Sequence, residues 1–270
     1  MLLAVDVGNT TMRFGLFGDG ATADAEPLGT WEITTPTRMT ADEARLAAMQ
    51  AVAALSSVSP EETHPLDAIL SCVVPSLEAA WTRALGALCS SRPLVVGPGL
   101  KTGISLRYDD PSEVGSDRIA DAVAARECYG APAIVVDLGT TTNIEVIDAA
   151  GAFVGGLIAP GLALGARSLA DAAARLPAVE IRAPRRVIGK STREAMRSGI
   201  VFGESARIDG LLDMVIAELN GDTQEAPQPA IILTGDDASA MAAILRHTVT
   251  VDDTLTLRGL AALHRLNRRR

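Results

Sequence analysis

The sequence predicts an α/β protein of two similar lobes with a cleft between them, and three observations carry that expectation. Residues 1–7 are an apolar run that ends in Asp6-Val-Gly-Asn-Thr10, the pattern of a buried strand entering a tight polar turn. A second apolar run, residues 133–137, ends in Asp137-Leu-Gly-Thr-Thr141, so Asp6, Gly8 and Thr10 recur as Asp137, Gly139 and Thr141 at one constant offset. Two further strand-like segments follow each turn. Two copies of one strand-turn-strand unit imply duplicated lobes.

The elements follow in order. Residues 12–17 alternate toward Gly18-Asp19-Gly20, a second strand ending at a hairpin tip, and residues 31–34 form a third strand. Residues 41–55 are alanine-rich with apolar positions at helical spacing behind Thr40, a suitable N-cap. A buried strand is expected at 68–74, closed by Pro75, then a helix at 76–89 and a short strand at 93–96. After Gly115 comes a helix at 118–128. Strands are expected at 133–137, 144–147 and 153–158, before Pro160-Gly161 opens a helical stretch. Helical patterns over 193–199 and 206–219, a polar loop at 221–229, a strand at 231–234 and a helix at 257–266 complete the chain.

Composition narrows the partners. The 270 residues are 48% hydrophobic and 21% charged, enough apolar material for one large or two modest cores. The net charge of −9 argues against nucleic acid, which calls for a concentrated basic surface; the only basic cluster is Arg268 to Arg270 with Arg265. Cys72, Cys89 and Cys128 are an odd number without CxxC spacing, as in a reduced cytoplasmic protein. His64, His247 and His264 match no zinc pattern. The opening MLLAV is too short for a signal-peptide core, and no apolar run is long enough to span a membrane. A cytoplasmic protein with no membrane partner is expected.

The turns have chemistry to offer. Gly8 permits close backbone approach, so the N–H groups and hydroxyls after it can converge on phosphate oxygens. Asp6, at a strand end beside that turn, suits magnesium, directly or through its waters. Residues 137–142 present one carboxylate and three hydroxyls, with Thr140 placed for terminal phosphates and Asp137 for a cation. A polar hairpin turn is the plain alternative for the first segment and a threonine-rich strand edge for the second, but the latter leaves the Asp-x-Gly pair unexplained. A third group is Tyr108-Asp-Asp-Pro111 followed by Gly115-Ser-Asp-Arg118. Ser116 or Asp117 could be only an N-cap there. Asp117 and Arg118 also supply the two groups a kinase of an acidic substrate needs, a base and a cation.

With these motifs in hand, the chain resembles the type III pantothenate kinases over essentially its full length. The matching segments include Asp6 to Thr10, Ser71-Cys-Val-Val-Pro75, Lys101-Thr-Gly103, Tyr108 to Pro111, Glu113 to Arg118, Asp137 to Thr140, Gly155-Gly156, Pro160-Gly161, Thr192 and Ser198-Gly199. The resemblance implies two duplicated ribonuclease H-like (actin-like) lobes, residues 1–114 and 115–270, each a mixed sheet flanked by helices, with the active site in the cleft. It implies ATP-dependent phosphorylation of pantothenate, the first step of coenzyme A synthesis. Carried over residue by residue, Asp6, Val7, Gly8, Asn9, Thr10, Thr11, Met12 and Arg13 would bind ATP with Mg2+, and Thr140 would add a phosphate contact. Asp117 would be the general base. Tyr108, Gly115, Ser116, Asp117, Arg118 and Thr192 would hold pantothenate, and Asp137 a monovalent cation, K+ or NH4+. The family also implies a homodimer whose substrate site draws on both chains.

Three positions depart from the family pattern. Asn143 stands where Thr is usual, Glu145 where Asp is common, and Asp236 where a second glycine normally follows Gly235. Two other functions fit parts of the pattern. One is a kinase of another small hydroxylated substrate; the other is a non-enzymatic accessory protein of a transcription regulator, which would not need Asp6, Asp117 and Thr140 together.

Overall fold

Strand β1 (Leu2–Val7) is the centre from which the first half is built. The computed structural model describes residues 1–19, 24–56, 66–173, 176–221 and 227–268; Gly20 of the hairpin tip, His64, most of the 221–229 loop and Arg269-Arg270 lie outside the described residues. Antiparallel to β1 runs β2 (Thr11–Phe17), and β3 (Gly29–Thr34) pairs with β2. On the other side β4 (Asp67–Cys72) and β5 (Leu94–Val95) are parallel to β1, giving the order β3-β2-β1-β4-β5.

One face of this sheet is covered by α1 (Ala41–Leu55) and α2 (Pro75–Leu88). Helix α1 buries only alanines, Ala44, Ala47, Ala48 and Ala51, whose small side chains let the helix lie close to the sheet. Thr40 and Glu43 form a reciprocal capping box at its start, worth roughly 1 kcal/mol. Phe14 packs between Trp31 and Trp81, with ring centroids 5.5 and 5.6 Å apart. Pro75, expected to close β4, is the first residue of α2, where its missing N–H costs nothing. Helix α3 (Ser116–Tyr129) follows a single 3-10 turn at Pro111–Glu113.

The second half repeats this plan. Strands β6 (Ala133–Leu138), β7 (Thr141–Ile147) and β8 (Phe153–Pro160) are successively antiparallel, and β9 (Ala230–Thr234) and β10 (Thr250–Val251) lie parallel on the far side of β6. The order β8-β7-β6-β9-β10 matches β3-β2-β1-β4-β5 strand for strand. Its helices are α4 (Leu162–Ala172), α5 (Thr192–Asn220) and the short α6 (Ala238–Ala242), which the sequence did not betray. Ile144, Val146, Ile134 and Val136 form a core with Ile200, Ile208 and Leu212 of α5.

Where two helices were expected at 193–199 and 206–219, α5 is one helix of 29 residues. Gly199 and Gly203 lie on its exposed side, and the buried Ser198, Glu204 and Ser205 interrupt the apolar periodicity with polar groups that are partnered inside. The last helix, α7 (Leu255–Asn267), returns to α3: a Cβ on Gly259 would fall 1.9 Å from the Ala120 carbonyl oxygen, so only glycine allows this backbone contact. The compact units are therefore residues 1–130 with 254–270, and residues 131–253. Helix α3 thus sits in the first unit, whereas a lobe boundary at 114/115 would put it in the second. Among the described residues no helix is long and apolar enough to cross a membrane.

Candidate active site

In the first unit the turn joining β1 to β2 is pinned from two sides. Gly8 donates its N–H to the Thr11 carbonyl at 3.1 Å, and the Thr35 hydroxyl donates to the Gly8 carbonyl at 2.7 Å. A Cβ on Gly8 would lie 2.9 Å from the Thr11 oxygen, which explains the glycine. Asn9 and Thr10 are left exposed at the tip, while Val7 and Met12 anchor it in the core.

Asp6 lies just inside this turn with Arg13 opposite it on β2. Its Oδ1 is buried without a hydrogen-bond partner. Burial, and then the negative charge of Asp117, push its pKa up to about 7, against the Ser71 hydrogen bond and the Arg13 charge. A buried carboxylate oxygen without a donor is a place for a cation or its water. Among the described residues no three His, Cys, Asp or Glu side chains cluster as metal ligands, so a metal here would rely on one carboxylate, water and phosphate oxygens.

The start of α3 brings the expected base close enough to Asp6 to act on its charge. Asp110 accepts from the Ser112 N–H and hydroxyl at 2.9 and 2.6 Å, fixing the turn that delivers the chain to Gly115. Gly115, not Ser116 or Asp117, is the N-cap of α3. Asp117 folds back over the helix end, its Oδ1 accepting the Arg118 N–H at 2.8 Å. Burial raises its pKa, opposed by the Arg118 N–H, the Arg118 charge and its own N–H. The Ser116 hydroxyl, expected at the substrate, is buried and committed to Ser71 at 2.9 Å and the Cys72 N–H at 3.1 Å. Arg118 is buried, Tyr108 half-buried and Asp109 exposed.

The second unit carries the other turn, and it is not an exact copy. Leu138 pairs with Thr142, where Val7 pairs with Met12, so the β6–β7 turn is one residue shorter. Gly139 donates to the Thr141 carbonyl at 3.0 Å, and Thr140 is exposed at the tip. Asp137 consequently faces Asn143, so a neutral amide takes the place that Arg13 holds beside Asp6. The Thr141 hydroxyl donates to Asn143 Oδ1 at 3.1 Å. Glu145 is fully buried on the same strand.

Two glycines press on this turn. A Cβ on Gly161 would lie 2.4 Å from the Gly139 oxygen, and one on Gly235 would lie 2.6 Å from the Leu138 oxygen and 2.7 Å from Asp137 Oδ1. Gly235 also has φ of +92°, a backbone that other residues rarely adopt. Asp236, which follows it, is exposed. Behind the turn, Thr142 donates to buried Glu204 at 2.7 Å, and Arg207 bonds Glu204 and the Pro160 carbonyl. Thr192 is the first residue of α5, exposed, next to the Ser191 cap. Sequence reasoning noted Ser71, Gly161 and Gly235 only as parts of motifs, without a role, and passed over Glu204. Their partners are distant in sequence, as Ser71 is from Asp6 and Ser116, so no local signal marked them.

Comparison with known proteins agrees with this geometry. Residues 2–214 match the family profile described as type III pantothenate kinase. A relative from Rhodospirillum centenum, named type III pantothenate kinase, is 41% identical over 275 residues, covering 99% of each chain. Among solved structures, a protein described as a Baf family transcriptional activator from Campylobacter jejuni superposes with a TM-score of 0.58 at 18% identity, covering 98% of both chains. MreB 5 of Spiroplasma citri, solved with AMPPNP, gives 0.51 at 10% identity over 98% of this chain and 96% of its own. At such identities these structures speak to the fold alone, and the fold is the two-lobed, actin-like one.

Proposed function

The chain belongs to the type III pantothenate kinase family, and from that premise we propose that it transfers the γ-phosphoryl group of ATP to the primary hydroxyl of pantothenate, giving phosphopantothenate for coenzyme A synthesis. The observation that carries this reading is the pair of carboxylates Asp6 and Asp117, on different elements but within each other's electrostatic reach. One presents an unpartnered buried oxygen; the other sits on a helix end with its proton affinity raised by burial. That division of labour suits phosphoryl transfer, in which positioning and charge stabilisation do most of the work.

Asp6 would hold Mg2+, directly or through water, and the bound ion supplies positive charge to the phosphate oxygens. The N–H groups and hydroxyls of residues 8–11 would meet the phosphates from one turn and Thr140 from the other. Asp117 accepts the proton of the attacking hydroxyl. Tyr108, Gly115, Arg118 and Thr192 hold pantothenate, with Arg118 suited to its carboxylate; Ser116 serves behind them. Asp137 would hold a monovalent cation, and the Leu138 carbonyl oxygen near its Oδ1 supports that role. The protein would act as a cytoplasmic homodimer; the exposed apolar side chains Ile158, Leu169, Val187, Ile188 and Met214 of the second unit support contact with another chain. The test is a coupled assay of ATP consumption with and without pantothenate. Pantothenate-dependent turnover is expected, and ATP binding without turnover would favour the accessory role.

A further inference from the structure

Ser71 and Ser116 are buried side chains on β4 and at the start of α3, with hydroxyl oxygens 2.9 Å apart. Ser71 is the register partner of Asp6 on the neighbouring parallel strand, so the two side chains share one face of the sheet, and hydrogen bonding by Ser71 holds the Asp6 pKa down against burial. Ser116 immediately precedes Asp117, and its oxygen accepts the Cys72 N–H at 3.1 Å. Donor counting gives this chain a direction. The Cys72 N–H can only donate and the Asp6 carboxylate, in the ionised form that would face a metal, can only accept, while each hydroxyl has a single proton. All groups are satisfied in one arrangement: Cys72 N–H to Ser116, Ser116 O–H to Ser71, Ser71 O–H to Asp6. Reversing the middle bond would leave the Asp6 carboxylate without the Ser71 donor, in a setting where a buried carboxylate oxygen already lacks a partner.

We infer that Ser71 and Ser116 are positioning residues that lock the Asp6 carboxylate to the first turn of α3, so that the metal-facing carboxylate and the base-bearing helix end hold one geometry. A carboxylate at a strand end can rotate about its last torsion, and a donor held in place beside it restricts that rotation. The same two hydroxyls tie α3 to β4, and α3 carries Asp117. This inference rests on the roles proposed above for Asp6 and Asp117, and it extends the site to two side chains that need touch neither nucleotide nor acceptor.

The experiment compares Ser71→Ala, Ser116→Ala, the double variant and Ser71→Thr by steady-state kinetics, thermal melting and the Mg2+ dependence of ADP binding. Loss of an outer partner to a metal-facing ligand typically costs about 10- to 100-fold in affinity or activity. Each alanine variant is expected to lower kcat about tenfold and to raise the Mg2+ concentration needed for ADP binding several-fold, with melting close to the parent's. The double variant should be no worse than the poorer single, because one chain is broken once. Ser71→Thr, which keeps the hydroxyl, should recover most of the loss. Ser116→Ala is decisive, since its hydroxyl reaches Asp6 only through Ser71. An unchanged Mg2+ dependence in Ser116→Ala, multiplicative losses in the double variant, or losses that merely follow unfolding would each overturn the inference. Should the parent fail to phosphorylate pantothenate, the proposed function falls, while Mg2+-dependent ADP binding still decides the fate of the serine chain.

Discussion

A methyl group on Gly115 would lie 2.5 Å from Oδ1 of Asp117. The glycine has an ordinary φ of −55°, so space for the folded-back carboxylate explains it, not backbone freedom. The contact is with the end of a side chain, which can swing away at little cost. Gly115→Ala should therefore melt within about 1 kcal/mol of the parent yet lose activity, because Asp117 is pushed off its position. Parental kcat in the alanine variant would remove the case for a precisely held Asp117.

Asp117→Asn separates chemistry from architecture. The N-cap is Gly115, so the amide should leave α3 in place. Losing a general base costs about 10² to 10⁴ in rate, roughly 3 to 5 kcal/mol of barrier. The expected result is a collapse of kcat with ADP binding and melting near parental values. Near-normal turnover would place the base elsewhere.

Asp137 and Gly235 give a linked pair of outcomes. Exchanging K+ for Na+ or tetramethylammonium at constant ionic strength should depress the rate strongly, and equal rates in all three would sink the cation role of Asp137. Gly235→Ala should destabilise by about 2–4 kcal/mol, from its positive φ and from crowding of the Leu138 carbonyl. Its surviving folded fraction should need more K+ for half-maximal rate.

Asp209 on α5 accepts the N–H groups of Arg246 and His247 and the His247 ring, at 3.1, 3.3 and 2.8 Å, clamping the segment after α6. Burial alone would raise its pKa, but these bonds and the Arg246 charge outweigh it, leaving it below the ordinary 3.8. A depressed carboxylate contributes stability that is full above its unfolded value and disappears as pH falls through the folded one. Asp209→Ala should cost about 1–3 kcal/mol at neutral pH. The gap between parent and variant melting should narrow below about pH 4; a constant gap would refute the charge-based clamp.

Sedimentation at low micromolar concentration should show two chains. A fully active monomer would contradict both the dimer and the shared substrate site.

Much of this was legible because it rested on strong local signals. The two Asp-x-Gly turns follow apolar strands, and the structure repeats the whole five-stranded plan around them. The sequence match between Thr10 and Thr141 concealed a difference, however: the second turn is a residue shorter, so Asn143 stands opposite Asp137 as Arg13 stands opposite Asp6. Register depends on strand pairing, which a linear motif does not record. Continuity of α5 was hidden for a related reason. Glu204 looks like a surface residue until Thr142 and Arg207, distant in sequence or on the next turn, are seen to satisfy it. Ser71 likewise acquires meaning only from its neighbours on β1 and α3.

The first unit closes only with residues 254–270, whereas the second is one uninterrupted stretch, residues 131–253. During synthesis from the N-terminus, β1 to α3 leave the ribosome long before the helix that covers Ala120 has been made. Domains tend to fold as they emerge, and here the later-made unit is the first to have all its parts. The nascent protein thus waits on the codons of α7 to bury the surface of α3 that Gly259 will occupy, and a chain cut before residue 254 would lose the unit that began first.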